Sequence, residues 1–389
     1  MRIGVDATCW HNMRGYGRHA RALLRSLVRL DRDGRYTFFT DTPGTAEPWP
    51  SEAQVCCVRA AAPAAIAASS NGHRSLRDMW RMSRAMSASD SDVLLFPTVY
   101  SYVPVFSRVK KVVVIHDVIA EKFPRLTLPS RTGRLFWKAK VALGRWQADA
   151  LITVSEHSRR GIVEHFRIKP ELVHVVGEAS DPVFQPLENP RLTPHLQAAG
   201  VPETGRLIVY VGGFNPHKNL EMLVAVFAKI AAREEFADVR LVLAGECEKE
   251  VFHSYSGTIK RQVDQLDLVG RVIFTGYLGD DDLVELYNRA TVLALPSLLE
   301  GFGLPAVEAA ACGCPVVATT ASPLPELLGA GGLFIDPMDH DGWEQALQEV
   351  LRSGELRQQM GQAALAAARR LTWDHAAGQM MSALRKVVA

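Results

Sequence analysis

The sequence predicts an α/β protein of two domains, each built on a parallel sheet. Three observations carry this reading. Short β-branched, apolar runs alternate with helix-period segments along the whole chain, the pattern of strands joined by crossover helices. A chain of 389 residues is long enough for two domains of ordinary size, each with its own core. Between Asp181 and Gly205, Pro182, Pro186, Pro190, Pro194 and Pro202 discourage helix and central strand. This stretch is the predicted linker, and the boundary is placed near residue 200.

In the first half, apolar runs predict strands at 3–7, 36–40, 55–58, 93–96, 112–115, 150–154 and 173–176. The helix after the first strand is predicted over 16–30, because Ala20, Leu23, Leu24, Leu27 and Val28 follow helical spacing. The alanine-rich stretch 60–70, with one proline, reads as a loop or a loose helix. The second half restarts with a buried strand at 207–211. Further strands follow at 240–244, 272–274, 292–295, 315–318 and 333–335, with helices over 220–232, 281–290 and 343–353 between them. A final helix runs from about 373 to 388.

Composition narrows the class. No run of some eighteen apolar residues occurs, so no transmembrane helix is expected. The chain opens on a strand rather than a charged patch and long apolar run, which argues against a secretory signal and for a cytoplasmic location. Cys9, Cys56, Cys57, Cys247, Cys312 and Cys314 show no C-x-x-C spacing and are read as reduced thiols, with no structural zinc. Residues 1–150 carry 23 Lys and Arg against 12 Asp and Glu, whereas residues 151–389 carry 21 against 30. A basic first half suggests an anionic partner. Arg74, Arg77, Arg81 and Arg84 interleave with Leu76, Met79, Trp80 and Met82. Arg125, Arg131, Arg134, Lys138, Lys140 and Arg145 accompany Leu135, Phe136 and Trp137. Each stretch fits either a peripheral contact with anionic lipid or a solvated helix face. No nucleic-acid partner is expected.

The chemistry concentrates in Glu300-Gly301-Phe302-Gly303-Leu304-Pro305-Ala306-Val307-Glu308. Two carboxylates bracket a glycine-rich turn that follows a buried strand and opens an alanine-rich helix. Backbone N–H groups at such a helix start face an anion or a hydroxyl. Carboxylates accept hydrogen bonds from vicinal hydroxyls, so the pair suits a sugar or a ribose. The glycines let the backbone approach a ligand closely. Lys218 follows the strand at 207–211 and is placed to meet phosphate. His116 and Asp117 end the strand at 112–115, where ligands bind in open α/β sheets. Ser155, Glu156, His157 and Arg159 follow the next strand. Gly15 precedes a helix, a position that suits a phosphate or an acceptor. The spacing from Gly15 to Ala20 does not make a dinucleotide fingerprint. Asp280, Asp281 and Asp282 read as an acidic first helical turn, and Asp90 and Asp92 precede a strand, so neither group is read as a metal site.

Taken with the segments GYGRH (15–19), VVVIHD (112–117), ITVSEHSRR (152–160), YVGGFNPHKNL (210–220), LVLAGE (241–246) and FTGYLGDDDLVELYNRA (274–290), this stretch resembles the retaining nucleotide-sugar glycosyltransferases of family 4. The resemblance covers nearly the whole chain and is most specific in the C-terminal half. It implies the GT-B fold, two facing Rossmann-like domains with the active site between them. An acceptor domain would span 1–200 and a donor domain 201–373, with a helix over 374–389 crossing back to the first domain. It implies that Glu308 holds ribose hydroxyls, that Glu300 contacts the donor sugar or nearby catalytic groups, and that Gly301, Phe302, Gly303 and Leu304 offer N–H groups to sugar and phosphates. His116 would lie near the reacting carbon, and Lys218 would meet the diphosphate.

The chain departs from the family pattern at two positions. An arginine before the lysine is His217 here, and a second family arginine is Gly213. Either Lys218 carries the phosphate alone, or His217 is charged beside the bound anion. The implied reaction is retaining transfer of a sugar from a nucleoside diphosphate to a hydroxyl, without metal or other cofactor. The acceptor would be a sugar, a lipid-linked molecule or a small molecule. The sequence also resembles mannosyl- and related transferases of bacterial surface polysaccharides, whose donors are often GDP-sugars. An epimerase or hydrolase of the same fold, or a silent nucleotide-sugar-binding protein, is the alternative.

Overall fold

The computed structural model describes residues 1–12, 15–44, 47–60, 75–128, 130–246 and 255–389. The alanine-rich stretch 61–70, Arg74 and Cys247 lie outside the described residues. Two compact units emerge: Met1–Pro124, Leu128–Glu178 and Thr372–Ala389 form the first, and Arg125–Thr127 with Ala179–Leu371 form the second. The changeover at Glu178 and Ala179 puts the proline-rich stretch in unit 2.

Unit 1 holds seven parallel strands: β1 (Arg2–Asp6), β2 (Arg35–Thr40), β3 (Ala53–Cys57), β4 (Val93–Phe96), β5 (Lys110–Val114), β6 (Ala150–Thr153) and β7 (Val173–Val175). Their order across the sheet is β3-β2-β1-β4-β5-β6-β7. Both faces are covered, as a parallel sheet requires. On one face Val93, Leu95, Val112 and Val114 meet Leu23, Leu24 and Leu27 of the helix Gly15–Leu30 and Met380 and Leu384 of the helix Trp373–Val388. On the other, Leu94, Phe96, Val113 and Ile115 meet Met82, Met86, Val141 and Ile162 from the helices Leu76–Ser87, Arg131–Gln147 and Glu156–Phe166. The last helix is fixed to unit 1 by polar contacts as well. Thr372 caps it, Arg29 pairs with Asp374, and Gln379 accepts from Gly177 N at 2.9 Å.

Unit 2 repeats the plan with β8 (Leu207–Val211), β9 (Arg240–Ala244), β10 (Val272–Gly276), β11 (Val292–Leu295), β12 (Val316–Thr319) and β13 (Gly332–Ile335). The order is β10-β9-β8-β11-β12-β13. In each sheet the chain adds strands outward on one side and then restarts on the other. The switch falls between β1 and β4 in unit 1 and between β8 and β11 in unit 2. At such a point the connections diverge and leave a crevice at the strands' carboxyl ends.

Two boundaries move outward from the apolar pattern for polar reasons. β5 begins at Lys110 because Asp149 binds the Lys110 ammonium (3.1 Å) and the Lys111 N–H (2.9 Å). Buried Lys111 finds the carbonyls of Ser107 and Val109 at 3.0 and 2.8 Å. The helix His340–Arg352 starts before Trp343, because Asp339 caps it through Gly342 N at 2.9 Å.

Leu384 is fully buried between the last helix and the first. Leu384→Ala is therefore expected to cost about 2–5 kcal/mol in urea unfolding of unit 1. A loss below about 1 kcal/mol would show that the terminal helix contributes little to that core.

Candidate functional site

The polar residues of unit 2 collect at its switch point. After β8 the chain passes Gly212 and Gly213 and turns through Pro216–Lys218 into the helix Leu220–Ala231. Asn219 between them is left-handed (φ 59°), and its amide donates to the carbonyls of Pro296 (3.2 Å) and Pro337 (2.9 Å). Leu298 N donates to His217 O at 2.9 Å. These bonds lock the segment after β8 to the segment after β11 and set Lys218 against Glu300. Lys218 Nζ lies 2.7 Å from Glu300 Oε1, and Ser297 Oγ donates to the same oxygen at 2.6 Å. Glu300 N is held by Ala321 O at 3.0 Å. Both charged side chains are largely buried, at 19% and 9% exposure for Lys218 and Glu300. Lys218 has three ammonium protons, and the carboxylate takes one.

Gly301, Phe302 and Gly303 are buried, and Leu304, partly buried, opens the helix Leu304–Ala311. Gly303 has φ 88°, and a Cβ there would sit 2.9 Å from Leu324 Cδ1. Glycine is demanded here both by backbone conformation and by packing. Glu308 is buried inside this helix, and its Oε2 accepts from Tyr287 O–H at 3.2 Å.

The two departures from the family pattern have different structural sequels. Gly213 O accepts from Tyr210 O–H at 2.7 Å, which fixes the turn after β8. Burial, and secondarily the Lys218 cation, push the His217 imidazole down to about 3. His217 is therefore neutral near pH 7 in the ligand-free protein, and Lys218 supplies the positive charge.

In unit 1, His116 and Asp117 follow β5. His116 O accepts from Thr153 Oγ1 at 2.9 Å, and Asp117 Oδ1 accepts from Ile119 N at 2.8 Å. Burial, with the neighbouring His19, lowers the His116 pKa well below the ordinary histidine value. Across the β1–β4 switch, Tyr16 stacks on Tyr100 (5.2 Å), and Tyr100 meets Trp137 (4.9 Å). Trp137 Nε1 donates to Glu121 at 2.8 Å, and burial raises that carboxyl to about 7.

Other residues singled out from the sequence carry structural bonds. Gly15 is the exposed first residue of its helix, with open space around it. Gly17 is where a Cβ would strike Asn12 O, at 1.9 Å. Ser155 caps the helix Glu156–Phe166 through Ser158 N at 3.0 Å. Glu156 pairs with Arg159 at 2.8 Å, and Arg159 also donates to the carbonyls of Val173 and Pro170. Asp282 receives Thr193 and lies 3.1 Å from His195, while Asp90 and Asp92 pair with Arg2.

Sequence reasoning missed Ser297, Tyr287, the Tyr16–Tyr100–Trp137 stack and Glu178. Ser297 stood next to the motif, three residues before Glu300. Pairing between distant aromatics left no local signal.

The sequence pattern described as "Glycosyl transferases group 1" matches residues 194–366, and that described as "Glycosyltransferase Family 4" matches residues 13–182. The two patterns, each under half of the chain, together liken it to the group 1 glycosyltransferases. It is 30% identical over 241 residues to D-inositol 3-phosphate glycosyltransferase of Corynebacterium diphtheriae, covering 60% of this chain and 55% of that protein. It is 28% identical over 239 residues to O-antigen chain mannosyltransferase B of Escherichia coli, covering 61% of each. The matches span only 55–58% of the length of the corynebacterial relatives. Anabaena HepE in complex with UDP-glucose shares the fold, with TM-score 0.73, 19% identity and 99% of each chain covered. The two parallel-sheet, Rossmann-like units are thus of the GT-B class.

Two outcomes follow from this geometry. Unfolding exposes His217 and lets it bind a proton below about pH 6.5, whereas the folded state binds it only near 3. Stability linked to this residue is therefore lost as pH falls through that window. Urea unfolding of wild type against His217→Gln should shift against wild type between pH 6.5 and 4, and a constant difference would contradict the burial. Gly303→Ala should cost at least about 1–2 kcal/mol from the left-handed backbone alone, read by the same unfolding curves.

Proposed function

We propose that the protein is a retaining glycosyltransferase that moves a sugar from a nucleoside diphosphate to an acceptor hydroxyl. The observation that carries this reading is the Lys218–Glu300–Ser297 cluster at the β8–β11 switch point, with the Gly303 turn and Glu308 beside it. Lys218 and the N–H groups of the turn stabilise charge on the departing diphosphate. Glu308 receives ribose hydroxyls while Tyr287 holds its other side. Glu300 anchors Lys218 and accepts from a hydroxyl of the donor sugar. His116 lies near the reacting carbon as a neutral imidazole. The leaving phosphate takes the acceptor proton on the face it vacates, which retains configuration. Lys218 and the backbone dipoles supply the positive field, so the reaction needs no metal.

HepE binds UDP-glucose and a relative is named a mannosyltransferase, so UDP- and GDP-sugars are the donors to test first. A thermal-shift panel of UDP-, GDP-, ADP- and dTDP-sugars should single out one base. A donor at a hundred times its Kd stabilises by about 2.7 kcal/mol. Glu308→Ala should weaken that donor by roughly tenfold or more, and His116→Ala should lower kcat with donor affinity retained. Unchanged affinity in Glu308→Ala would contradict the ribose contact. Free sugar released from the donor without acceptor would favour the hydrolase reading, and no donor binding at all would favour a silent protein.

We further propose that unit 1 rests on anionic lipid, at the inner face of a membrane, and takes a lipid-linked acceptor there. Among the described residues no helix is long and apolar enough to cross a membrane. The helices Leu76–Ser87 and Arg131–Gln147 instead expose Leu76, Trp80, Leu135, Phe136 and Trp146 beside Arg77, Arg81, Arg84, Arg131 and Lys138. Exposed Phe106 belongs to the same face. Gln147 exchanges two hydrogen bonds with Val105, and Phe106 N donates to Ser87 Oγ. Apolar tips flanked by cations match the interface of an anionic bilayer. Sedimentation with phosphatidylglycerol vesicles should retain the wild type and lose Phe106→Ser/Trp146→Ser. Equal retention of both proteins would remove the proposal.

A further inference from the structure

A second polar cluster sits inside unit 1 and includes His116. His19 comes from the helix Gly15–Leu30, His116 from the carboxyl end of β5, and Glu178 from the segment after β7. One ligand atom from each lies within 4.8 Å of the other two. His19 is 2% exposed and Glu178 8%. His19 Nδ1 and Nε2 and His116 Nε2 are all buried without a hydrogen-bond partner. His19 Nδ1 approaches Glu178 Oε1 to 2.9 Å, yet the contact does not have hydrogen-bond geometry. The two atoms are close without aiming at one another, as two ligands are when both face a third point.

Three orphaned ring nitrogens in one place are costly, because each gives up water without gaining a partner. A divalent cation would partner one nitrogen of each ring and one carboxylate oxygen, since neutral imidazoles and a carboxylate are its ordinary ligands. Two imidazoles and one carboxylate make a donor set suited to zinc rather than magnesium or calcium. We propose that His19, His116 and Glu178 form a binding site for Zn²⁺ or a similar borderline transition-metal ion. Ligands about 2.0–2.1 Å from zinc stand closer together than 4.8 Å, so the three side chains draw inward on binding. No step of transfer uses the ion. It occupies His116, so, resting on the function proposed above, it inhibits transfer, and a chelator restores activity.

The test uses the full chain, stripped with a chelator and dialysed. Titration with Zn²⁺ alone should show one saturable site per chain, and Co²⁺ should give the visible absorption of low-symmetry nitrogen and oxygen coordination. Glu178→Gln should weaken Zn²⁺ at least tenfold, and His19→Gln should abolish the saturable site. Urea unfolding of unit 1 serves as a fold check, because all three residues lie in that unit. Zinc affinity unchanged in both variants, or no saturable binding to wild type, would overturn the site and leave only a buried hydrogen-bonding cluster. Neither result bears on the donor reading, which fails only if nucleotide sugars do not bind.

Discussion

The switch in strand order between β8 and β11 is the constraint on which the donor-side chemistry depends. Two neighbouring parallel strands there send their chains to opposite sides, and the crevice at their carboxyl ends must be closed by polar groups. Asn219 does this from the β8 side by reaching the carbonyls of Pro296 and Pro337, at the backbone cost of a left-handed asparagine. Once that clasp is made, Lys218 and Glu300 have little freedom. The pair is largely buried, and in such surroundings removal of one partner leaves an uncompensated charge. The pair is therefore better understood as a device for position than as a source of stability. Ser297 and Ala321 hold Glu300 so that it can hold Lys218.

Unit 1 uses the same topology with different chemistry. At its β1–β4 switch the contacts are aromatic, through Tyr16, Tyr100 and Trp137, and the titratable groups Glu121 and His116 are both shifted toward neutrality by burial. Low charge and flat rings suit an uncharged polyol face, whereas the cation and helix start of unit 2 suit an anion. This division follows from which side chains each sheet presents at its carboxyl edge.

Much of the fold was legible because parallel strands buried on both faces leave unbroken apolar runs. All thirteen strands in the described residues overlap segments expected from the sequence, although β3 is largely exposed and β7 carries His174. The edges were less legible, since Lys110, Lys111 and Asp339 define them through hydrogen bonds to residues the apolar pattern ignores. Glu300, Glu308 and Lys218 were legible because a glycine turn marks the first two and a strand end marks the third. The partners that hold them were not, because Tyr287 and Asn219 act across long sequence separations. Arg159 shows the converse. A basic residue just beyond a strand pointed to a ligand, but its guanidinium serves the carbonyls of Pro170 and Val173.

His217, one of the two departures from the family pattern, shows how a substitution redistributes work within a site. An arginine at this position would keep its charge when buried, because its guanidinium does not deprotonate in proteins. The histidine loses its proton on burial, beside a lysine that opposes a second positive charge. An arriving diphosphate reverses part of that balance, since an adjacent anion favours the imidazolium. Until it arrives, the site holds one cation already matched by Glu300. Under the proposed function, a diphosphate would draw the Lys218 ammonium toward phosphate oxygens and leave Glu300 to the sugar hydroxyls. The same carboxylate restrains the lysine in the empty site and, under the proposed function, receives the donor in the filled one.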